Sequence, residues 1–217
     1  MLACLCAGCF LRARPPVFVD SGFLSDYSLL TEAGGDRAQL LYRSADADFA
    51  AYDKILFERV TIWVAHAGER EKLAGEDFEH LADSMYATIH AALEQDYELV
   101  HEPGPGVLRI HMALTHVSDA AVTHDVFSSE GSPDHQIAAD RGDIGASAEA
   151  FVNEAYLELE IVDAETDRTL VEAVDPWTRQ THLERGSITT WQQAHEAFEF
   201  WADRLRTRLA QARRGEI

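Results

Sequence analysis

The sequence predicts an α+β fold: a two-layer sandwich in which a mixed sheet of about four to five strands carries two main helices on one face. Three observations predict it. Apolar residues alternate with polar ones over Ile55–Val64, Val107–Val117 and Phe151–Val162, the period of a strand. Two longer segments repeat at helical spacing, near Gly75–Gln95 and Thr189–Arg214. The resulting order is strand, helix, three or four strands, helix, which suits helices collected on one side of a sheet.

Each element has its own warrant. Ile55–Val64 is rich in β-branched and aromatic residues. In the first helix Phe78, Leu81, Met85, Ile89 and Leu93 form one stripe, and Glu76, Asp77 and Glu79 place negative charge at the positive end of the helix dipole. Tyr97–His101 and Val107–Val117 read as strands joined by a rigid hairpin turn at Glu102–Gly106. In the second of these, Leu108, Ile110, Met112 and Leu114 share a core face, and Arg109, His111 and Thr115 share the other. A long polar stretch, 118–148, reads as a mobile loop. Phe151–Val162 then turns through Asp163–Arg168 into Thr169–Val174, a second hairpin. The last helix carries Trp191, Ala194, Phe198, Trp201, Leu205 and Leu209 on one stripe, and five arginines from Arg204 to Arg214 complement its carboxyl end. Trp191, Phe198 and Trp201 are read as core first, and as a ligand platform only if exposed.

A chain of 217 residues with 47% hydrophobic and 26% charged residues is long enough for one core without disulfides or metal. The net charge is −20, from 18 basic against 38 acidic residues, and almost all the positive charge is arginine. Such a surface repels phosphate backbones and anionic head groups, so no nucleic acid partner is expected. It could favour cationic ligands or divalent ions.

The three cysteines, Cys4, Cys6 and Cys9, all fall in the first nine residues, so the body has no disulfide or zinc–thiolate chemistry. The run Leu5-Cys6-Ala7-Gly8-Cys9 resembles a bacterial lipobox, in which small residues precede a cysteine that is lipidated after cleavage. Cys6 stands where leucine is usual. The preceding stretch is shorter than the roughly 15–30 residues of a signal peptide, which implies a translation start upstream. Lipidation is expected at Cys9. Phe10, rather than aspartate, follows it, which by resemblance to lipoprotein sorting favours the periplasmic face of the outer membrane, with Arg12–Pro16 as a tether. The expected organisation is a truncated lipoprotein signal and tether over 1–20 and one periplasmic domain over 21–217.

The run Ser21-Gly22-Phe23-Leu24-Ser25-Asp26-Tyr27, continued by Ser28-Leu29-Leu30, stands with Leu41-Tyr42-Arg43 and Tyr52-Asp53-Lys54. These segments resemble an uncharacterised family of proteobacterial lipoproteins, domain of unknown function 3313. The likeness extends to the strand near Val107 and the acidic hairpin near Asp163. It implies an envelope lipoprotein and no particular activity.

The sequence carries no nucleophile elbow, phosphate-binding glycine loop or zinc-protease helix. Gly104-Pro105-Gly106 is a turn, because proline removes donors that a phosphate cradle needs. His124, Asp125, Asp134 and His135, with Asp140 and Asp143, form the densest set of possible ligands. Their spacing matches no ligand motif, so a solvated acidic loop is expected, with no cofactor and no tightly bound metal. Glu154, Glu158 and Glu160 are read as a solvated sheet face, and Arg109 and His111 as structural. The expected role is a non-enzymatic interaction domain with an envelope-protein or cell-wall partner. The alternative is a metal-dependent or carboxylate-based cell-wall hydrolase resting on these acidic groups.

Overall fold

A computed structural model of the chain describes residues 18–35, 37–63, 76–115, 144, 152, 155–177 and 188–217. Its strands are β1 (Thr31–Glu32), β2 (Leu40–Arg43), β3 (Lys54–Phe57), β4 (Thr61–Trp63), β5 (Glu98–Leu99), β6 (Val107–Thr115), β7 (Tyr156–Asp163) and β8 (Thr169–Pro176). The helices are α1 (Glu76–Leu93) and α2 (Trp191–Arg213), with short 3-10 turns at Tyr27–Leu29 and Phe49–Ala51.

The class is α+β as predicted, but the sheet is wider than expected. Eight strands join in the order β1-β2-β8-β7-β6-β3-β5, with β4 also paired to β6. The mixed character comes from β6, which runs parallel to β3 and β4 but antiparallel to β7. The added strands β1 and β2 have two and four residues, too few for a period-2 pattern to stand out. The run predicted as one strand from Ile55 is broken at Glu58–Val60 into β3 and β4, which pair with successive halves of β6.

The turn at 102–106 is not a hairpin. β5 and β6 lie on opposite edges of β3 and both run parallel to it, so the turn carries the chain across the start of β3. Gly106 is needed there: its φ is +72°, and an added Cβ would sit 3.2 Å from Asp53 Oδ1. Its carbonyl accepts from the amides of Asp53 and Lys54. By contrast, the β7–β8 hairpin turns as read, although β7 begins at Tyr156, and Val152, inside the predicted strand, is helical and buried. Asp163 caps it by accepting from the amides of Glu165 and Thr166, at 3.0 and 2.8 Å.

Both helices pack on the same face. The α1 stripe of Phe78, Leu81, Met85, Ile89 and Leu93 is buried, and joins Ala194, Phe198, Trp201, Leu205 and Leu209 of α2 in one core with Ile110, Met112 and Leu114. Each such large side chain contributes about 1.5–3 kcal/mol on leaving water. α2 begins with a capping box, in which Thr190 accepts from the Gln193 amide and the Gln193 side chain returns to the Thr190 amide. Trp191, ahead of the buried stripe, is half-buried and rests against His80. Of the stretch predicted as a loop, 118–148, only Ile144 is described; it is buried in this core and its amide bonds to Thr189.

The second face of the sheet departs most from expectation. Residues 18–30 cross it as a strap, and Phe18, Phe23, Tyr27 and Leu30 pack on Leu24, Tyr156 and Val174 in a small second core. Trp63 secures the strap by donating from Nε1 to the Ser21 carbonyl at 3.0 Å, with Phe23 edge-on to its ring.

Candidate functional site

Two features stand out, one on each face of the sheet. Beneath the strap, registration sets Glu158 of β7 opposite Ala113 of β6 and Val174 of β8, while Glu160 and Glu172 face each other one row along. Glu158 and Glu172 are both 0% exposed. This corrects the reading of a solvated carboxylate face, since the period-2 alternation located the face correctly but could not reveal that another segment covers it. Thr115, placed with the polar face, is buried too.

The strap and β6 supply the hydrogen bonds that the buried acids make, leaving Glu172 Oε2 without one among the described residues. Tyr27 donates to Glu158 Oε2 at 2.5 Å and Thr115 donates to Oε1 at 2.7 Å. The Tyr27 oxygen in turn accepts from the amides of Phe23 and Leu24, with Ser21 Oγ 2.8 Å away. Glu172 Oε1 accepts from Ser25 Oγ at 2.8 Å and from the Asp26 amide at 3.2 Å. The Ser21–Tyr27 run thus serves the fold: the Ser25 and Tyr27 hydroxyls and the Asp26 amide bond the buried acids, while Ser21 and the amides of Phe23 and Leu24 hold the Tyr27 hydroxyl in place. Burial pushes the Glu158 carboxyl above its ordinary range, against the lowering effect of its hydroxyl donors. Burial, then the bond to Glu158, push the Tyr27 phenol up to about 12. A carboxyl group covered on all sides meets no substrate, so Glu158 does no acid–base work here.

On the helix side the sheet is wider than its cover. Seven strands spaced about 4.8 Å apart span roughly 29 Å, whereas two helices of about 10–12 Å diameter span 20–24 Å. The β2–β8 end is left open among the described residues. Leu41, Ala173, Leu159 and Met112 form one registered row there, and Arg43, Val171 and Ile161 form the next. Leu41, Leu159, Val171 and Ala173 point to the helix side and are still only half-buried.

α2 walls the opening with Trp201, Leu205, Leu209 and Ala212, leaving a groove of about 400 Å³. Its charged lining is Arg37, Arg43, Arg204, Arg208 and Asp175. Arg43 lies over the Phe49 ring and Arg204 over Trp201, and Arg208 donates to Gln211 Oε1 at 3.0 Å. Asp175 Oδ1 accepts from the Gln39 amide. The groove is apolar at its floor and cationic at its sides, a combination suited to holding an amphiphile in place.

The residues singled out by sequence are only partly placed. Cys9, His124, Asp125, Asp134, His135, Asp140, Asp143 and Glu154 lie outside the described residues. Among the described residues no group of three His, Cys, Asp or Glu is set to hold a metal. No helix among them is long and apolar enough to cross a membrane. Arg109 pairs with Asp167 across the β7–β8 turn. His111 sits 3.2 Å from Glu58, without hydrogen-bond alignment, and 3.7 Å from Glu160. Trp201 donates from Nε1 to the Trp177 carbonyl and is core, with one side bordering the groove. The groove itself was missed. The signal for it was weak: a strand pattern too long for two helices to cover, and arginines in both Leu41-Tyr42-Arg43 and the final helix.

Among the described residues, fold and groove together define an α+β domain with one helical layer, a strapped second face and an open amphipathic cleft. The chain belongs to the family described as "Protein of unknown function (DUF3313)", whose model matches residues 19–205 and so takes in the strap, the sheet and the groove lining up to Leu205, but not Arg208, Leu209 or Ala212. No curated protein and no solved structure matches it.

Proposed function

We propose that this is an envelope lipoprotein held through Cys9 at the periplasmic face of the outer membrane, whose folded part is a non-enzymatic interaction domain that takes its partner in the groove between α2 and the β2–β8 end of the sheet. The observation that carries the binding part is the groove's floor. Among the described residues, Leu41, Leu159, Val171 and Ala173 face the helical layer without a helix above them, an apolar surface that gains from being covered. The lipobox-like run before Cys9 and the thiol-free body support the anchor. The short interval from Cys9 to the strap would hold the domain close to the membrane surface.

Two measurements test the two halves. Expression from the upstream start with Cys9→Ser should move the protein from the membrane to the soluble fraction, and unchanged membrane association rejects the anchor. A photo-crosslinking residue at Ala173 should give a defined adduct in whole envelopes that is lost when Arg208→Glu is added. The same yield with and without that change rejects the groove as the binding site.

A further inference from the structure

We infer that the occupant of the groove is a single straight acyl chain ending in a carboxylate, a free fatty acid, with the methylenes on the sheet floor and the head group among the arginines. This rests on the reading of the groove as a binding site and adds the chemistry of what binds.

The lining argues by what it contains and by what it omits. It supplies four guanidinium groups against one side-chain carboxylate, Asp175, in a chain whose net charge is −20. Four of the sixteen arginines therefore gather at one cleft, reversing locally a surface that elsewhere repels anions. Guanidinium forks match a carboxylate with two parallel hydrogen bonds and keep their charge at any physiological pH.

Between these cations the described walls carry no hydroxyl, amide or imidazole side chain. The one indole among them, on Trp201, already donates to the Trp177 carbonyl. A peptide would bury amides and carbonyls against Leu159, Val171 and Leu205 with nothing to pair them, and a sugar or glycerol head group would do the same with its hydroxyls. A methylene chain brings no such groups. The volume of about 400 Å³ lies at the low end of ligand clefts, which span about 300–1,000 Å³, and favours one chain over two.

The test uses the full chain carrying Cys9→Ser, which bears no acyl anchor and is purified without detergent or lipid, and calorimetric titration with octanoate, decanoate, dodecanoate and the methyl ester of decanoate. Burial of each methylene predicts about a fourfold gain in affinity, so about fifteenfold between successive members of the series until the groove is full, with one chain bound per protein. The ester should bind at least tenfold more weakly than the acid. Arg208→Glu should weaken the acid strongly and the ester little, while the far-ultraviolet spectrum stays that of the parent. Ala173→Trp, which fills the floor from a half-buried position, should abolish both.

Equal affinity for acid and ester, or affinity independent of chain length, overturns the inference. If no fatty acid binds but the Ala173 crosslink to an envelope component forms and depends on Arg208, the acyl occupant is wrong and the groove reading stands. If neither binding nor crosslink is seen, both fall.

Discussion

At Glu158 a carboxyl group is taken wholly out of water and given two hydroxyl donors, from Tyr27 and Thr115, in place of a cation. Burial favours the neutral acid, so the folded chain holds this proton more tightly than the unfolded one does. The sign of the linkage follows: Glu158 contributes most to stability below its ordinary value of 4.5, and that contribution is lost as pH rises through the higher folded value. Glu158→Gln, which cannot ionise, should therefore gain stability relative to the parent between acid and neutral pH. Urea midpoints at the two ends of that range check it, and a constant difference would show that Glu158 is not the titrating group. Asp163 acts in the opposite sense. Burial raises it, but bonds from Tyr52 and from Glu165 and Thr166 outweigh that and hold it below its ordinary 3.8, so its contribution disappears in acid. Tyr27→Phe leaves Glu158 and the amides of Phe23 and Leu24 without their shared partner. It should cost about 1–3 kcal/mol in denaturant titrations, and a loss under about 0.5 kcal/mol would mean that water replaces the phenol.

Among the elements, the helices are where sequence and structure agree best. Five apolar residues at spacings of three and four in α1 leave one orientation against a sheet, and the buried stripe is the predicted one. Leu81→Asp or Phe198→Asp should each cost about 3–5 kcal/mol, because each would place an unpaired charge in the apolar core. Melting within a few degrees of the parent would mean that the helix has turned a different face inward. Thr190→Ala removes one half of the α2 capping box and should cost about 1 kcal/mol, read as a shift of the urea midpoint without change of slope. Strand β1 was not legible for the reason that makes it short: it contributes two residues, and its place is set by β2, already in the sheet. β5, inside the predicted strand Tyr97–His101, keeps only two paired residues beside β3.

For the whole molecule, the excess of negative charge is a cost spread over the surface, and the described ion pairs are mostly exposed and too weak to offset it. Arg59–Asp83 and Arg214–Glu216 are both well solvated. Raising the ionic strength from about 0.01 M to about 0.15 M shortens the screening length from about 30 Å to about 8 Å. The melting temperature should rise with it. A fall would mean that attraction within local pairs outweighs the general repulsion. The same repulsion gives the groove its distinctness, since a cationic site in an anionic surface is an electrostatic exception that the average charge conceals.

Local periodicity determined the class of this fold, the two helical stripes, the β7–β8 hairpin and the core face of β6, because each depends on residues within one short stretch. The run Ser21–Tyr27 was visible as a pattern of small, aromatic and acidic residues, but its structural role was not, since the acids it meets lie more than a hundred positions away in β7 and β8. Whether Glu158 faced water or a covering segment was decided only when the strap folded over it. The groove was likewise beyond any single stretch: Arg43 and Arg208 become neighbours of one cleft only because β2 pairs at the far side of β8 and α2 stops short of it. Side-chain alternation tells which way a residue points. What it points at is set by the count of strands and the width of the helices laid over them.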